Sequence, residues 1–259
     1  MRALAFLLLA PIFTAVGFVV AFLAIPLSPR SGRAAHAVAR AWARGMLVAA
    51  GVVLEVEGAE HLAPDEPRVL VANHTSYLDI PAVLLAFPGQ LRIVARKSLL
   101  WMPFLGWYLW LCGHLLIDRE DPRQGLALFE HARLRMARDR LSVLVFPEGT
   151  RSRDGRLAPL KGGAFHLAAS LAAPLQPVAI FGTCDVMPKG SWVPAGRGAR
   201  GSSRVRLRIG APIATAGLTG GPARKALAEQ VRAALLALGL ESTAGPASDA
   251  SSAAANQPT

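Results

Sequence analysis

A histidine and an aspartate five residues apart, His74 and Asp79, stand directly after an apolar run, Val69-Leu70-Val71-Ala72. Imidazole is the side chain best suited to exchanging a proton near neutrality. A carboxylate on one ring nitrogen fixes the tautomer and stabilises the cation formed when the other nitrogen is protonated. Five residues along a straight helix rotate by about 500°, which sends the two side chains to different faces. The pair therefore needs a turn ahead of the helix if it is to act as a base; without one it is a surface pair or a cap. A second polar cluster, Phe146-Pro147-Glu148-Gly149-Thr150-Arg151-Ser152, follows a strand-like run, residues 141–145. It offers a carboxylate able to hold a hydroxyl, a glycine that lets backbone amides approach a ligand, a hydroxyl, and a guanidinium that grips phosphate bidentately. Lys161-Gly162-Gly163 follows within reach and adds a point charge. The plainer reading of this segment is a solvated strand-to-helix turn.

Strands have to deliver both clusters. Strand-like runs occupy residues 68–72, 92–95, 141–146 and 175–181, with helical patterns between several of them, the alternation of an α/β domain with partly parallel pairing. Asp121-Pro122 makes a cap and first turn for a helix that turns Leu126, Phe129 and Met136 inward. Val205, Leu207 and Ile209 alternate with Arg204, Arg206 and Arg208 as in a half-exposed strand. Leu227, Val231, Leu235 and Leu238 mark an amphipathic helix ending at Gly239.

The 259 residues include 28 Lys+Arg against 17 Asp+Glu, a formal charge of +11; 53% are apolar and 17% charged. This excludes a disordered or fibrous chain, and a mean hydropathy of +0.37 is high for a purely soluble one. No charge occurs between Ala3 and Pro29, and residues 4–25 would extend roughly 33 Å as a helix, enough for one bilayer crossing. The run is too long for the core of a cleavable signal and leads to Pro26 and Pro29 instead of a small-residue exit, so it is expected to be retained. A helix over residues 33–48 follows, with Arg33, His36, Arg40 and Arg44 on one stripe that can lie on anionic headgroups. The alternative is an Ala-rich helix packed on its own domain. Arginines beyond the first run point its C-terminal side toward the cytoplasm, Arg2 and the amino terminus pull the other way, and a re-entrant or monotopic hairpin is the alternative. Residues 98–117 form a second charge-free stretch, with Trp101, Phe104, Trp107, Tyr108 and Trp110 interrupted by Pro103, Gly106 and Gly113. If it crossed the bilayer, the two polar clusters would face opposite sides, so it is read as an apolar wall or membrane-dipping segment. Residues 241–259, rich in Ala, Ser, Gly and Pro, are expected to form a disordered tail.

Several functions are set aside. Cys112 and Cys184 are too few for a disulfide framework and lack metal-ligand spacing, so a reducing compartment and no metal are expected. Gly196, Gly198 and Gly201 spell G-x-G-x-x-G, but no strand precedes them and no helix follows. The serine-hydrolase elbow, the zinc-protease H-E-x-x-H and the P-loop are absent. The positive charge adjoins apolar sequence without a nucleic-acid reading motif, so no nucleic-acid partner is expected.

Together the motifs resemble those of the glycerolipid acyltransferase family, particularly its bacterial 1-acyl-sn-glycerol-3-phosphate acyltransferases. His74 and Asp79 match the family's H-x-x-x-x-D, and residues 146–152 match its F-P-E-G-T-R-S. Gly113-His114-Leu115-Leu116-Ile117-Asp118-Arg119 resembles its G-x-x-F-I-D-R with Leu116 in place of phenylalanine, and Pro177 with Val178 stands where a fourth block is expected. The resemblance spans residues 69–182. It implies an α/β fold in which a mixed, partly parallel sheet is flanked by helices and preceded by an N-terminal membrane-associated helical segment. The expected division is 1–50 for the hydrophobic and basic helices, 51–240 for the acyltransferase domain and 241–259 for the tail.

The implied reaction moves an acyl group from acyl-CoA or acyl-carrier protein to the sn-2 hydroxyl of 1-acyl-sn-glycerol 3-phosphate, giving phosphatidate. His74 and Asp79 are then catalytic, while Arg119, Glu148, Gly149, Thr150, Arg151 and Lys161 hold substrate; in the family Arg119's position goes with substrate phosphate. No cofactor beyond the acyl donor is expected. The partners are lysophosphatidate and membrane lipid, at the inner (cytoplasmic) membrane with the catalytic domain facing the cytoplasm. The chemistry agrees: a thioester releases a thiol of pKa about 8.5 that needs little acid assistance, whereas the acceptor hydroxyl needs a base. Another lysolipid acceptor, such as a lysophospholipid or lyso-ornithine lipid, and a noncatalytic membrane lipid-binding protein are the alternatives. His114 is expected to be structural.

Overall fold

The chain, seen in a computed structural model, begins with a helical pair and continues into one seven-stranded sheet covered by helices. The structure describes residues 2–24, 26, 32–102, 104–118, 132, 134–171, 173–195, 203–218 and 220–243. Helix α1 (Arg2–Ala24) buries Phe6, Ala10, Ala21 and Ala24 and exposes Leu8, Ile12, Phe22 and Leu23. Within it, Phe6–Ala24 is the one segment among the described residues long and apolar enough to cross a membrane. It packs on α2 (Arg33–Ala49). Small residues permit the close approach: a Cβ on Gly45 would strike the Phe13 ring. The Trp42 indole N–H donates to Thr14 Oγ1 across the pair at 3.2 Å.

The cationic stripe on α2 departs from expectation. His36 is buried and bonds the Gly89 carbonyl through Nε2 at 3.2 Å. Arg40 donates to the carbonyls of Leu84 at 2.6 Å and Leu85 at 3.2 Å, and also to Phe87. These carbonyls close the C-terminal end of α3 (Asp79–Ala86), where unpaired acceptors and the negative end of the helix dipole favour a cation. His36 and Arg40 therefore fasten α2 to the domain, and only Arg33 and Arg44 remain exposed.

The strands are β1 (Val53–Glu57), β2 (Val69–Ala72), β3 (Gln90–Arg96), β4 (Leu115–Ile117), β5 (Leu141–Val145), β6 (Leu175–Phe181) and β7 (Arg204–Ile209). The helices after α3 are α4 (Leu105–Leu111), α5 (Gly163–Leu171), α6 (Thr183–Val186) and α7 (Gly220–Ala237). Sheet order is β1-β7-β6-β2-β5-β3-β4. Strands β2 to β6 run parallel, β7 is antiparallel to β6, and β1 is parallel to β7. The sheet is mixed, as expected. Every residue of β2 and β5 is buried, because helices cover both faces. Leu70, Ala72 and Leu144 join α2 and α3 in one core, while Val69, Val71, Val143 and Val145 join α5 and α7 in the other.

This topology makes the crevice that matters. From β2 the chain passes through α3 to β3 on one side; from neighbouring β5 it passes through α5 to β6 on the other. Adjacent parallel strands whose connections diverge onto opposite faces leave an opening at their carboxyl ends, where ligands of such sheets bind. Both polar clusters lie there.

Strands β1 and β4 were not expected. The 98–117 stretch splits into a 3-10 turn (Lys97–Trp101), α4 and β4. Trp101 is 90% exposed, Trp110 68% and Trp107 54%. Phe18 of α1 meets Phe104 and Trp107 with ring centroids 5.3 and 6.2 Å apart, so these aromatics continue the exposed apolar surface of α1. Of the expected 121–136 helix, Ala132 and Met136 are buried; Leu126 and Phe129 lie outside the described residues, as do the glycines at 196–201 and the tail from 244. Residues 241–243, expected in the disordered tail, instead pair with Leu157, whose N–H donates to the Glu241 carbonyl at 2.7 Å and whose carbonyl accepts the Thr243 N–H at 3.2 Å.

Candidate active site

Strand β2 ends at Ala72, and Asn73 pins that end to β6: its amide nitrogen donates to the Ile180 carbonyl at 2.9 Å and its oxygen accepts the Ile180 N–H at 2.7 Å. The chain then turns through residues 74–78 before α3 begins at Asp79, so the required turn is present. Asp79 is fully buried. Its Oδ2 lies 2.7 Å from His74 Nδ1 and accepts the N–H groups of Thr75 at 2.7 Å and Ser76 at 2.9 Å. Three donors on one oxygen hold the carboxylate in place and fix the rotation of the imidazole. With Nδ1 held, Nε2 is the nitrogen left to exchange a proton, on a side chain 19% exposed.

Strand β5 delivers the second cluster beside the first. The Phe146 ring stacks on the His74 imidazole with centroids 4.1 Å apart and 18° between planes. Glu148 Oε1 accepts the backbone N–H of His74 at 2.7 Å and Oε2 that of Ala158 at 3.1 Å. Ser152 donates its backbone N–H to the His74 carbonyl at 2.7 Å. The expectation that Glu148 holds a substrate hydroxyl thus meets a carboxylate whose two oxygens are already engaged by main chain. Burial raises the Glu148 pKa to about 7, with Asp79 and Asp154 adding to the shift and the two N–H donors opposing it.

Gly149 adopts φ +75°, a left-handed conformation, and a Cβ there would come within 2.9 Å of Lys161 Nζ. Glycine therefore allows the ammonium to lie against the loop backbone. Arg151 rests its guanidinium 3.7 Å above the Tyr77 ring, and its buried Nη1 has no hydrogen-bond partner. An oriented guanidinium nitrogen of this kind suits an anion. Thr150 is exposed, and its Oγ1 accepts from Lys189 Nζ at 3.4 Å. Arg119 lies outside the described residues, although Asp118 just before it is described.

Three contributors escaped sequence reasoning. Lys189 Nζ donates to the Arg151 carbonyl at 2.6 Å, Thr183 Oγ1 pairs with Thr75 Oγ1 at 2.8 Å, and Trp192 stacks on Tyr77 at 5.1 Å. All depend on contacts more than a hundred residues apart or on a loop with no periodicity. His114 is buried and its Nδ1 accepts the Ile93 N–H at 3.0 Å, a structural position as expected. Among the described residues no group of His, Cys, Asp and Glu could hold a metal ion.

The arrangement is a part-buried histidine on a buried aspartate, beside a cationic loop at the mouth of a parallel sheet. A family model described as Acyltransferase matches residues 53–181, the stretch that contains both polar clusters. The chain belongs to this acyltransferase family. Among similar relatives, the mouse 1-acyl-sn-glycerol-3-phosphate acyltransferase alpha is 33% identical over 188 residues, 73% of this chain and 64% of the relative. The chloroplastic 1-acyl-sn-glycerol-3-phosphate acyltransferase BAT2 of Brassica napus is 34% identical over 179 residues, 69% of this chain and 50% of the relative. The crystal structure of the 1-acyl-sn-glycerophosphate (LPA) acyltransferase PlsC from Thermotoga maritima superposes with TM-score 0.67 at 25% identity, covering 92% of this chain and 96% of that one. The acyltransferase fold is therefore shared almost end to end with PlsC, while the match spans only 50% of the Brassica relative and 64% of the mouse one.

Proposed function

We propose that this acyltransferase esterifies the sn-2 hydroxyl of 1-acyl-sn-glycerol 3-phosphate with an acyl group from acyl-CoA or acyl-carrier protein, releasing phosphatidate and the free thiol. The observation that carries the reading is the 2.7 Å contact of His74 Nδ1 with Asp79 inside a turn tied to the Arg151 loop. His74 Nε2 takes the proton of the acceptor hydroxyl as its oxygen attacks the thioester carbonyl, while Asp79 stabilises the resulting imidazolium. Collapse of the tetrahedral intermediate expels the thiolate, which takes a proton from the imidazolium or from water. No acyl-enzyme is needed. Arg151 and Lys161, with Arg119, hold the acceptor's phosphate, and the Gly149–Thr150 backbone lies where it can approach it. Binding energy at the phosphate thereby positions the hydroxyl at His74.

The exposed face of α1 together with Trp101, Trp107 and Trp110 supports membrane attachment, with the indoles at the headgroup level. Exposed Arg33 and Arg44 fit an anionic leaflet. In this reading the domain sits on the cytoplasmic face of the inner membrane, where acyl thioesters are available.

The test is transfer of radiolabelled acyl groups from acyl-CoA and from acyl-carrier protein to a panel of lysolipids. Preferential labelling of lysophosphatidate supports the proposal. Preference for a lysophospholipid or lyso-ornithine lipid would replace the acceptor, and lipid binding without transfer to any acceptor would leave a noncatalytic lipid-binding protein.

A further inference from the structure

His74 is held in two separate ways. Its ring is held by Asp79, which sets rotation. Its main chain is held by the second cluster, which sets where the residue stands relative to Arg151. The main-chain grip has two halves: the N–H donates to Glu148 Oε1 and the carbonyl accepts from Ser152. Glu148 also binds the Ala158 N–H through its other oxygen, so one 4%-exposed side chain joins the His74 turn, its own loop and the segment leading to Lys161.

We propose that Glu148 is a positioning residue of the acyl transfer, an ionised brace that fixes the His74 main chain against the phosphate-gripping loop, and that it is not a ligand of substrate. This rests on the reading of His74 as the base. A glutamine of equal size would not serve as well, since its amide has one acceptor oxygen and its NH2 group would face an N–H donor. The charge is opposed by its surroundings. His74 faces Glu148 from the turn before α3 and Asp79 from the first residue of that helix, Asp154 faces it from its own loop, and Lys161 lies against neighbouring Gly149. Burial and the two carboxylates together bring the titration of Glu148 to about 7. The brace is thus ionised above that pH and weakens as pH falls through it. The wild-type rate is therefore expected to fall as pH drops through about 7.

The experiment compares the full chain with Glu148→Gln and Glu148→Asp in lipid–detergent micelles. It records kcat, KM for lysophosphatidate, the pH profile and the NMR resonance of the His74 main-chain amide, with thermal unfolding to show that each variant is folded. Glu148→Gln is expected to lower kcat about 10–100-fold, the scale of a small misplacement of a catalytic group, with KM changed less than about threefold. Its pH profile loses the fall in rate that Glu148 protonation causes near pH 7, and the change of its His74 amide resonance there is smaller than in the wild type. Glu148→Asp, which keeps the charge on a shorter stem, recovers part of kcat. A raised KM with kcat retained would make Glu148 a substrate ligand and overturn the proposal, as would unchanged kinetics. If the wild type transfers no acyl group at all, the reading of function fails separately. The brace is then still tested by the wild-type amide resonance, which must titrate near pH 7; a flat response there overturns it.

Discussion

The backbone N–H of Ser152 donates to the carbonyl of His74 at 2.7 Å, joining residues 78 positions apart in the chain. The contact makes the two clusters one unit. Parallel neighbours β2 and β5 end side by side, with Val71 in register with Val145, so the turns that follow are forced into contact. The His74 imidazole and the Arg151 guanidinium emerge from the same edge of the same rigid sheet, which is how a fold can hold two groups within a fraction of an ångström.

Arg151 is the first consequence. Its buried Nη1 has no partner, and its guanidinium is oriented by Tyr77. Arg151→Lys keeps the charge but loses the planar fork, so kcat/KM for lysophosphatidate is expected to fall about 10–100-fold, the worth of a charged hydrogen bond, chiefly through KM. Steady-state kinetics with lysophosphatidate and with a monoacylglycerol lacking the phosphate check this. A loss of the same size with both acceptors would show that Arg151 does not act through phosphate.

The membrane face makes a second prediction. Replacing Trp101, Trp107 and Trp110 together with alanine removes three exposed indoles beside α1. Co-sedimentation with anionic vesicles should weaken by at least about tenfold, since each indole contributes on the order of a kcal/mol or more at the interface, while activity in detergent micelles is kept. Unchanged vesicle binding would place the membrane contact elsewhere.

His36 predicts a pH dependence of stability. Burial, reinforced by Arg92 and Arg40, lowers its pKa from 6.5 to about 4. The unfolded chain therefore binds a proton in a range where the folded chain does not. Stability from this group is full above about 6.5 and is lost as pH falls toward 4, by up to about 3 kcal/mol. His114 is lowered too and acts in the same sense, whereas Glu148, raised to about 7, opposes it. The measurement is therefore a difference: thermal unfolding of wild type and His36→Gln across pH 4–8. The variant should lose less stability on acidification; parallel curves would contradict the assignment.

What the sequence made legible follows from range. The His74–Asp79 turn was readable because rotation along a helix excludes the alternative over five residues. The buried central strands were readable as short, mainly apolar runs, uninterrupted in β2 and broken by one serine in β5. Strand β4 is three residues inside a charge-free stretch, where no period distinguishes strand from helix. Strand β1 is a partly exposed edge whose Glu55 and Glu57 are matched only by Arg204, Arg206 and Arg208 of distant β7. The stripe on α2 was visible on a helical wheel, but the carbonyls of Leu84, Leu85 and Gly89 that claim Arg40 and His36 were not. The same holds for Glu148, whose partners His74 and Ala158 are known only once β2 lies beside β5.

The most direct test of the account is kcat for acyl transfer to lysophosphatidate in His74→Ala, with folding verified by thermal unfolding and lysophosphatidate binding measured separately. A loss of about 10²–10⁴-fold with acceptor binding preserved is the predicted result, the size of a missing general base. Transfer at the wild-type rate by the folded variant would contradict it.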